Sequence, residues 1–434
     1  MKDSGVEWIG EIPEGWDVRK LKYCGKLDSN GVDKKQRDGE KLFKSVHYMD
    51  VYTNSLHEIG NSEDYLVISA DVQKAEMCTL KQGDVLLTTS SENPEDIGHS
   101  AEISEDLDNT LFGYHLMRFR ATIPLALHLR KYLIGSYLMR QWFEYRSVGM
   151  TRYGLSRSDI TDAQLILPPF STQNSLASFL DTKSSLIDAA VQKEREIIGK
   201  LKEYRQAVIT EGVTKGIRAG VPMKDSGVEW IGEIPEGWDV QKIKSYYSIV
   251  NGSTPKSDKS EYWGGDIIWI TPAEMSSSIV EIYDSKRTIT EEGLQSCGTT
   301  LLPINSIILS TRAPIGQVCI AGTNLCTNQG CKSLVMRKEF NYKYSYYYLS
   351  SQTVTLNILG RGTTFMELST YDLANYPLPI PPLPEQQEIA DYLDAKCSAI
   401  DATIQKRELA IEKLTAYKQS LIYECVTGKR EVLG

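Results

Sequence analysis

From Ser171 to Thr214 the positions Leu176, Leu180, Lys183, Ile187, Ala190, Glu194, Ile197, Leu201, Tyr204 and Val208 step by four, three, four, three. A 3.5-residue spacing held this long predicts one long helix with a seam for another helix. The chain then writes the pattern again: Ile389, Leu393, Lys396, Ile400, Thr403, Arg407, Ala410, Leu414, Tyr417 and Leu421 each lie 213 positions on. Each seam is ~50 Å long at 1.5 Å rise per residue. Neither helix has enough apolar surface to be buried on all sides, so the two most simply pack on each other through Leu180, Ile187, Glu194, Leu201, Leu393, Ile400, Arg407 and Leu414. Glu194 and Arg407 are polar interruptions at matched positions. In an antiparallel pair they fall in the same or neighbouring layers, and a parallel pairing, with the second block as the returning connection, would also align them; such a pair specifies register more than stability.

The flanks repeat too. Leu165-Ile-Leu-Pro-Pro-Phe-Ser-Thr-Gln precedes one helix and Leu378-Pro-Ile-Pro-Pro-Leu-Pro-Glu-Gln the other, with prolines barring helix until the first turn. Residues 1–18 recur unchanged at 223–240, and a period above ~200 residues points to a duplicated domain pair, since solenoid repeats are far shorter. The order is short motif, variable block, long helix, twice over. Blocks from about Arg19 to Leu155 and from about Gln241 to Leu368 resemble each other little. Asp84–Thr89, Leu111–Arg120, Asp266–Thr271 and Ser306–Thr311 read as strands by apolar run and β-branching. Leu125–Phe143 and Tyr342–Ile358 read as helices, the former with Leu127, Leu129, Tyr132, Leu133, Leu138 and Trp142 for its buried side. The predicted domains are 1–155, 156–222 (first long helix and linker), 223–368 and 369–434 (second long helix).

Composition narrows the class. A 41% hydrophobic and 24% charged chain of 434 residues is that of a soluble globular protein with two to four domains. No apolar run reaches the ~18 residues of a membrane span, and the N-terminus lacks a signal-peptide core; both argue for the cytoplasm. The eight cysteines and five histidines lack metal-ligand spacing, which favours reduced, structural cysteines. A net charge of -9 gives no help to nucleic-acid binding but leaves room for a local basic face.

No catalytic motif stands out. Leu167-Pro-Pro-Phe has leucine where a base-methylating tetrad needs a polar residue, and its repeat mate is Ile380-Pro-Pro-Leu; Gly330-Cys-Lys-Ser lacks phosphate-loop spacing. No cofactor, metal or ATP site is expected. The second block offers polar loops instead: Asn251-Gly-Ser-Thr-Pro-Lys, Thr311-Arg-Ala-Pro-Ile-Gly, Thr327-Asn-Gln-Gly-Cys-Lys and Arg361-Gly-Thr-Thr. One such loop is usually just a turn; four in one block suggest DNA. Arg forks onto guanine and Asn or Gln onto adenine, while Lys and Thr hold phosphates.

Together these residues resemble the specificity subunit of type I restriction-modification systems across essentially the whole chain. The marks are Val6-Glu-Trp-Ile-Gly-Glu-Ile-Pro in each half, Gly252-Ser-Thr-Pro with Tyr262-Trp-Gly-Gly, Thr327-Asn-Gln-Gly, and Pro381-Pro-Leu-Pro-Glu-Gln-Gln-Glu-Ile. The first block departs, with Ser90-Ser-Glu-Asn-Pro-Glu-Asp-Ile-Gly where the second has Thr311-Arg-Ala-Pro-Ile-Gly, and Asn109 to His115 where the second has Thr327-Asn-Gln-Gly. The resemblance implies an α+β protein: two mixed α/β target-recognition domains separated by an antiparallel coiled coil of two long helices, with an internal pseudo-twofold repeat. It implies a non-enzyme that reads a split double-stranded DNA target. Two copies of a methylating subunit would bind it and a translocating nuclease subunit could join, those partners carrying S-adenosylmethionine and ATP. Expected DNA-facing residues are Thr254, Lys256, Thr311, Arg312, Asn328, Gln329, Lys332, Arg361 and Thr363, with Ser90, Ser91, His115, Arg152 and Tyr153 as counterparts in the first block. Two other classes compete. A fused methylase or nuclease would need a catalytic domain for which no residues remain, and a coiled-coil assembly scaffold without sequence-specific binding would have no reason for two divergent, loop-rich inserts.

Overall fold

The computed structural model describes residues 1–432 apart from 55, 277–278, 313 and 362–365. The chain divides into two compact units, Met1–Arg195 with Glu408–Gly434, and Glu196–Arg407. Each unit holds a sheet-rich head and a stretch of both long helices, Phe170–Lys215 and Leu383–Val426.

Though their sequences differ, the heads have one topology. In the first, a five-stranded sheet runs in the order Gly25–Asp28, Leu116–Ala121, Val85–Thr88, Ser100–Ile103, Glu58–Ile59; in the second the order is Tyr247–Asn251, Cys331–Met336, Ile307–Ser310, Val318–Ala321, Glu281–Ile282. In both, only the last pair is parallel. A three-stranded sheet accompanies each, Thr110–Phe112, Lys41–Val46, Leu66–Ala70 in one and Thr288–Ile289, Trp263–Ile270, Cys326–Thr327 in the other. Successive side chains leave a strand on opposite faces, and here both faces are covered. Val85, Leu87, Met117 and Phe119 join the core that includes Tyr132, Leu180 and Leu421, while Leu86, Leu116 and Ala101 join a second core with Val46 and Ile68. Ile307 and Leu309 against Ile308 divide in the same way. That is why these strands read as unbroken apolar runs.

Three sequence-based elements are corrected. Leu111–Arg120 is two strands in different sheets, broken at Gly113 to His115, where His115 takes φ +66°. Leu125–Phe143 begins later and splits into Arg130–Ile134 and Tyr137–Arg146 because Ser136 caps the second piece, its hydroxyl accepting from Met139 N; Leu127 lies outside both and is exposed. Tyr342–Ile358 likewise splits at Gln352.

In the second unit the stretches of the two long helices pack antiparallel. Arg205 Nε lies 2.9 Å from Asp401 Oδ1, and a β-carbon on Gly212 would lie 3.2 Å from Leu393, so advancing along one helix means retreating along the other. In the first unit Lys418 Nζ donates to Asp188 at 2.7 Å. Asp188 and Asp401 are repeat mates, as are Arg205 and Lys418, so one ion pair is made twice. The seam itself needs a correction. Leu180, Ile187, Leu393 and Ile400 are buried and Leu201 and Leu414 half-buried, but the intervening layer lies one residue later than read from the pattern. Ser184, Val191, Ile198, Cys397 and Ile404 are buried, whereas Lys183, Lys396, Thr403, Tyr204 and Tyr417 are exposed. Both copies shift alike. Glu194 belongs to one unit and Arg407 to the other.

The repeated flanks have repeated jobs. Gln173 and Gln386, buried at the helix starts, each donate to a lead-in proline carbonyl, Pro168 O at 3.0 Å and Pro381 O at 2.9 Å, and each accepts a backbone N–H from its head, Ala126 and Asn341, at 2.8 Å. Asp181 and Asp394 then tie the helix to the head: Tyr132 and Lys131 bond the first, Tyr347 and Lys343 the second. The identical 18-residue motifs fold identically, as a short antiparallel pair whose tryptophan, Trp16 or Trp238, is buried beside the glycine that ends a long helix, Gly428 or Gly216. Among the described residues no helix is long and apolar enough to cross a membrane.

Candidate nucleic-acid interface

In the second head the polar loops at 251–256, 311–316 and 327–332, as far as they are described, come together at one end of the five-stranded sheet, with Arg361 as the described residue of the fourth. Gly252 makes this possible. A β-carbon there would lie 2.0 Å from Asn328 O and 2.5 Å from Thr327 O, so only glycine lets the two loops touch. Ser253 N then donates to Thr327 O at 2.9 Å, and the Thr254 hydroxyl donates to the Gln329 side-chain oxygen Oε1. Trp269 Nε1 to Ser253 O (3.0 Å) and Trp263 Nε1 to Lys256 O (3.2 Å) hold the far end of the first loop, leaving the Lys256 side chain exposed. Thr311 N donates to Gly330 O at 2.8 Å and Leu368 N to Thr311 O at 2.9 Å, which brings the third loop and the stretch ending at Leu368 alongside the second loop. Asn328 Oδ1 accepts from Gly330 N at 2.9 Å and so shapes its own turn.

Side chains on this frame are unequally available. Gln329, Lys256, Arg312 and Arg361 are exposed. Arg312 Nε donates to Glu367 Oε2 at 3.0 Å, Lys332 Nζ donates to Glu367 Oε1 at 3.0 Å, and Arg361 reaches Asp372 at 3.5 Å. Burial opposes the Glu367 carboxylate, yet bonds from Lys332 and Arg312 hold its carboxyl below the usual range. Lys332 and Thr311 are buried, with only 6% of the Lys332 side chain exposed, so their polar atoms are spent on Glu367 and Gly330 O. Thr363 lies outside the described residues.

The first head builds the same frame with other side chains. Leu155 N donates to Thr89 O at 2.9 Å and Thr89 N to His115 O at 3.2 Å. Thr89 therefore stands where Thr311 does, His115 where Gly330 does, Ser90 where Arg312 does and Gly154, paired with Ser90, where Glu367 does. Arg152 Nη2 donates to Ser90 Oγ at 3.1 Å; Tyr153 pairs with Ser91 across the strands, and Ser91 is buried. His115 is exposed and tilted against Tyr114, with ring centroids 4.3 Å apart. Burial and the charges of Arg152 and Lys34 lower its imidazole below the usual range.

Two contributors escape a reading of the sequence. Glu367, the acceptor shared by Arg312 and Lys332, looks like any surface acid. Arg287 lies 3.6 Å over the Trp263 ring, beside the loop carrying Lys256, and its stretch carries no motif. In chemical terms the frame offers guanidinium forks, amides and a lysine on one face, the donor set for base edges and phosphates.

A family model described as the type I restriction modification DNA specificity domain matches residues 13–198 and 235–413. A chain named as the MjaX type I restriction enzyme specificity subunit of Methanocaldococcus jannaschii is 27% identical over 434 residues, covering 98% of this chain and 96% of its own. The MjaIX specificity subunit of the same organism is 37% identical over 187 residues, 42% of this chain and 43% of that one. A solved chain described under complex assembly and conformational transition of the type I R-M system superposes with a TM-score of 0.75 at 18% identity, covering 97% of this chain and all of that one.

Proposed function

Because this chain belongs to the type I restriction-modification DNA specificity family, whose members recognise DNA for the methyltransferase and restriction subunits they work with, we propose that its two heads read the two halves of one split site. The observation that carries this reading is the shared frame: one backbone arrangement presents Arg312 and Glu367 in the second head, and Ser90 and Gly154, with Arg152 beside them, in the first. Two readers of different half-sites need a common scaffold with unlike side chains.

In the second head, Arg312, Asn328 and Gln329 contact base edges and Lys256, Thr254, Arg361 and Thr363 the backbone, while Thr311 and Lys332 support them from within. In the first head Arg152, His115 and Tyr153 face DNA over Ser90 and Ser91. Segments 1–155 and 223–368 are the recognition domains, and 156–222 and 369–434 carry the long helices. Those helices expose matched tyrosines, Tyr204 at 54% and Tyr417 at 50%, and a surface written twice suits two copies of one methyltransferase subunit. The chain itself contributes no catalysis and needs no cofactor, and it works in the cytoplasm, where the DNA is. The test is competition: the full chain with its methyltransferase subunits is bound to a labelled genomic fragment and challenged with unlabelled ones. A reader is displaced by the subset that carries its site, whereas a scaffold is displaced by all fragments equally or does not bind.

A further inference from the structure

We infer that Glu367 is a positioning residue for specificity: anchored by the buried Lys332, it holds Arg312 by Nε so that the Nη1–Nη2 edge is presented to a guanine in the second half-site. The inference rests on the reading of Arg312 as a base contact.

Rigidity is passed outward from the core to Arg312. Lys332 lies in the strand Cys331–Met336, opposite Leu309 on one side and Asn251 on the other. Its side chain is 6% exposed, so its ammonium needs a fixed partner in place of water. Glu367 supplies it through Oε1, and its backbone is pinned by reciprocal bonds with Arg361, N to O at 3.1 and 3.0 Å. The second oxygen, Oε2, is thereby fixed in space, and it accepts from Arg312 Nε. An exposed arginine otherwise samples many rotamers. A planar guanidinium held at Nε has lost most of that freedom before DNA arrives, and the edge opposite is the one that forks onto guanine O6 and N7. The Arg312 side chain is 45% exposed, so that edge can be reached.

Glu367 also carries a negative charge on this face, paired with the exposed Arg312 and bonded through its backbone to Arg361, whose side chain reaches Asp372. Any DNA backbone approaching this face meets it, so Glu367 weakens sequence-independent attraction while favouring the oriented fork. Both effects raise discrimination. In the first head the matched position is Gly154, and Arg152 rests on a neutral hydroxyl, Ser90 Oγ; the device belongs to the second head alone.

The experiment uses the full chain assembled with its methyltransferase subunits. The duplexes carry the site found by sequencing modified positions in a host, with every single-base-pair change across the second half-site. For Glu367→Gln the expected result is loss of discrimination, roughly tenfold or more, at one base pair. Affinity for scrambled duplex should rise, with a salt dependence steeper by about one phosphate contact. Since the variant leaves a buried ammonium facing an amide, Glu367→Gln with Lys332→Met is measured beside it and should show the same relaxed position at near-native melting temperature. Arg312→Ala must relax that same position. Unchanged discrimination in the folded variants, relaxation at a different position from Arg312→Ala, or equal loss on cognate and scrambled duplexes overturns the inference. If Arg312→Ala itself leaves discrimination intact, the base-reading assignment fails, and that is a separate result.

Discussion

Gly252 is where one atom decides whether the loops of the second head's candidate interface can meet. A methyl group in place of its hydrogen would sit 2.0 Å from a backbone oxygen that cannot rotate away. Gly252→Ala should therefore part the 252–256 and 327–330 loops, at about 1–3 kcal/mol as an overpacking effect. Recognition of the second half-site should be lost and that of the first kept, as binding to duplexes altered in one half at a time would report. Arg312 and Lys256 should separate by kind. Arg312→Ala is expected to cost ~1–3 kcal/mol on the cognate duplex and relax one position, while Lys256→Ala should weaken cognate and scrambled duplexes alike and reduce the salt slope by about one. The polar loops themselves were legible in the sequence, as Arg, Asn, Gln and Lys beside glycine and proline four times in one block. Their availability was not. Nothing in Thr327-Asn-Gln-Gly-Cys-Lys says that the lysine points inward to an acid 35 residues on, because burial is set by which strand the residue joins.

Among the elements, the long helices show what periodicity gives and where it slips. Leu180, Ile187 and Leu201 were legible as seam residues because apolar residues recur there every seven positions. The intervening layer was read one residue early because Tyr204 looks more apolar than Arg205, and Tyr417 more than Lys418. Yet Arg205 and Lys418 are the ones turned inward, their stems covering apolar surface and their heads on Asp401 and Asp188. The phase can be tested directly. Ile198→Ala, in the buried layer, should cost about 2–5 kcal/mol in thermal or denaturant unfolding. Tyr204→Ala and Tyr417→Ala should cost within about 0.5 kcal/mol, as surface changes do, but should weaken capture of the methyltransferase subunits. The heads' shared topology was invisible at this scale: many strands are only two to six residues long, and partners such as Tyr247–Asn251 and Cys331–Met336 lie far apart in the chain.

For the whole molecule, the repeat was plain in the sequence and the unlikeness of its two heads has physical consequences. All five histidines lie in the first head. Burial, the largest influence on each, lowers the imidazoles of His47, His57 and His99. A ring lowered in the folded state gives up no stability above its unfolded value, about 6.5. As pH falls from there through the folded value, the unfolded chain takes up the proton first and stability is lost. Glu102, raised by its own burial, runs the other way and offsets part of this. Mild acidification should therefore open the first head before the second, with protease cuts appearing first within residues 19–155; simultaneous cutting of both heads would contradict it. The central claim, that two independent readers share one scaffold, is tested most directly by exchanging a head. Residues 19–155 are replaced by the corresponding block of another family member, the chain is expressed with its methyltransferase subunits, and the modified positions in the host genome are sequenced. The account predicts a new first half-site joined to an unchanged second one; a swap that alters both half-sites would contradict it.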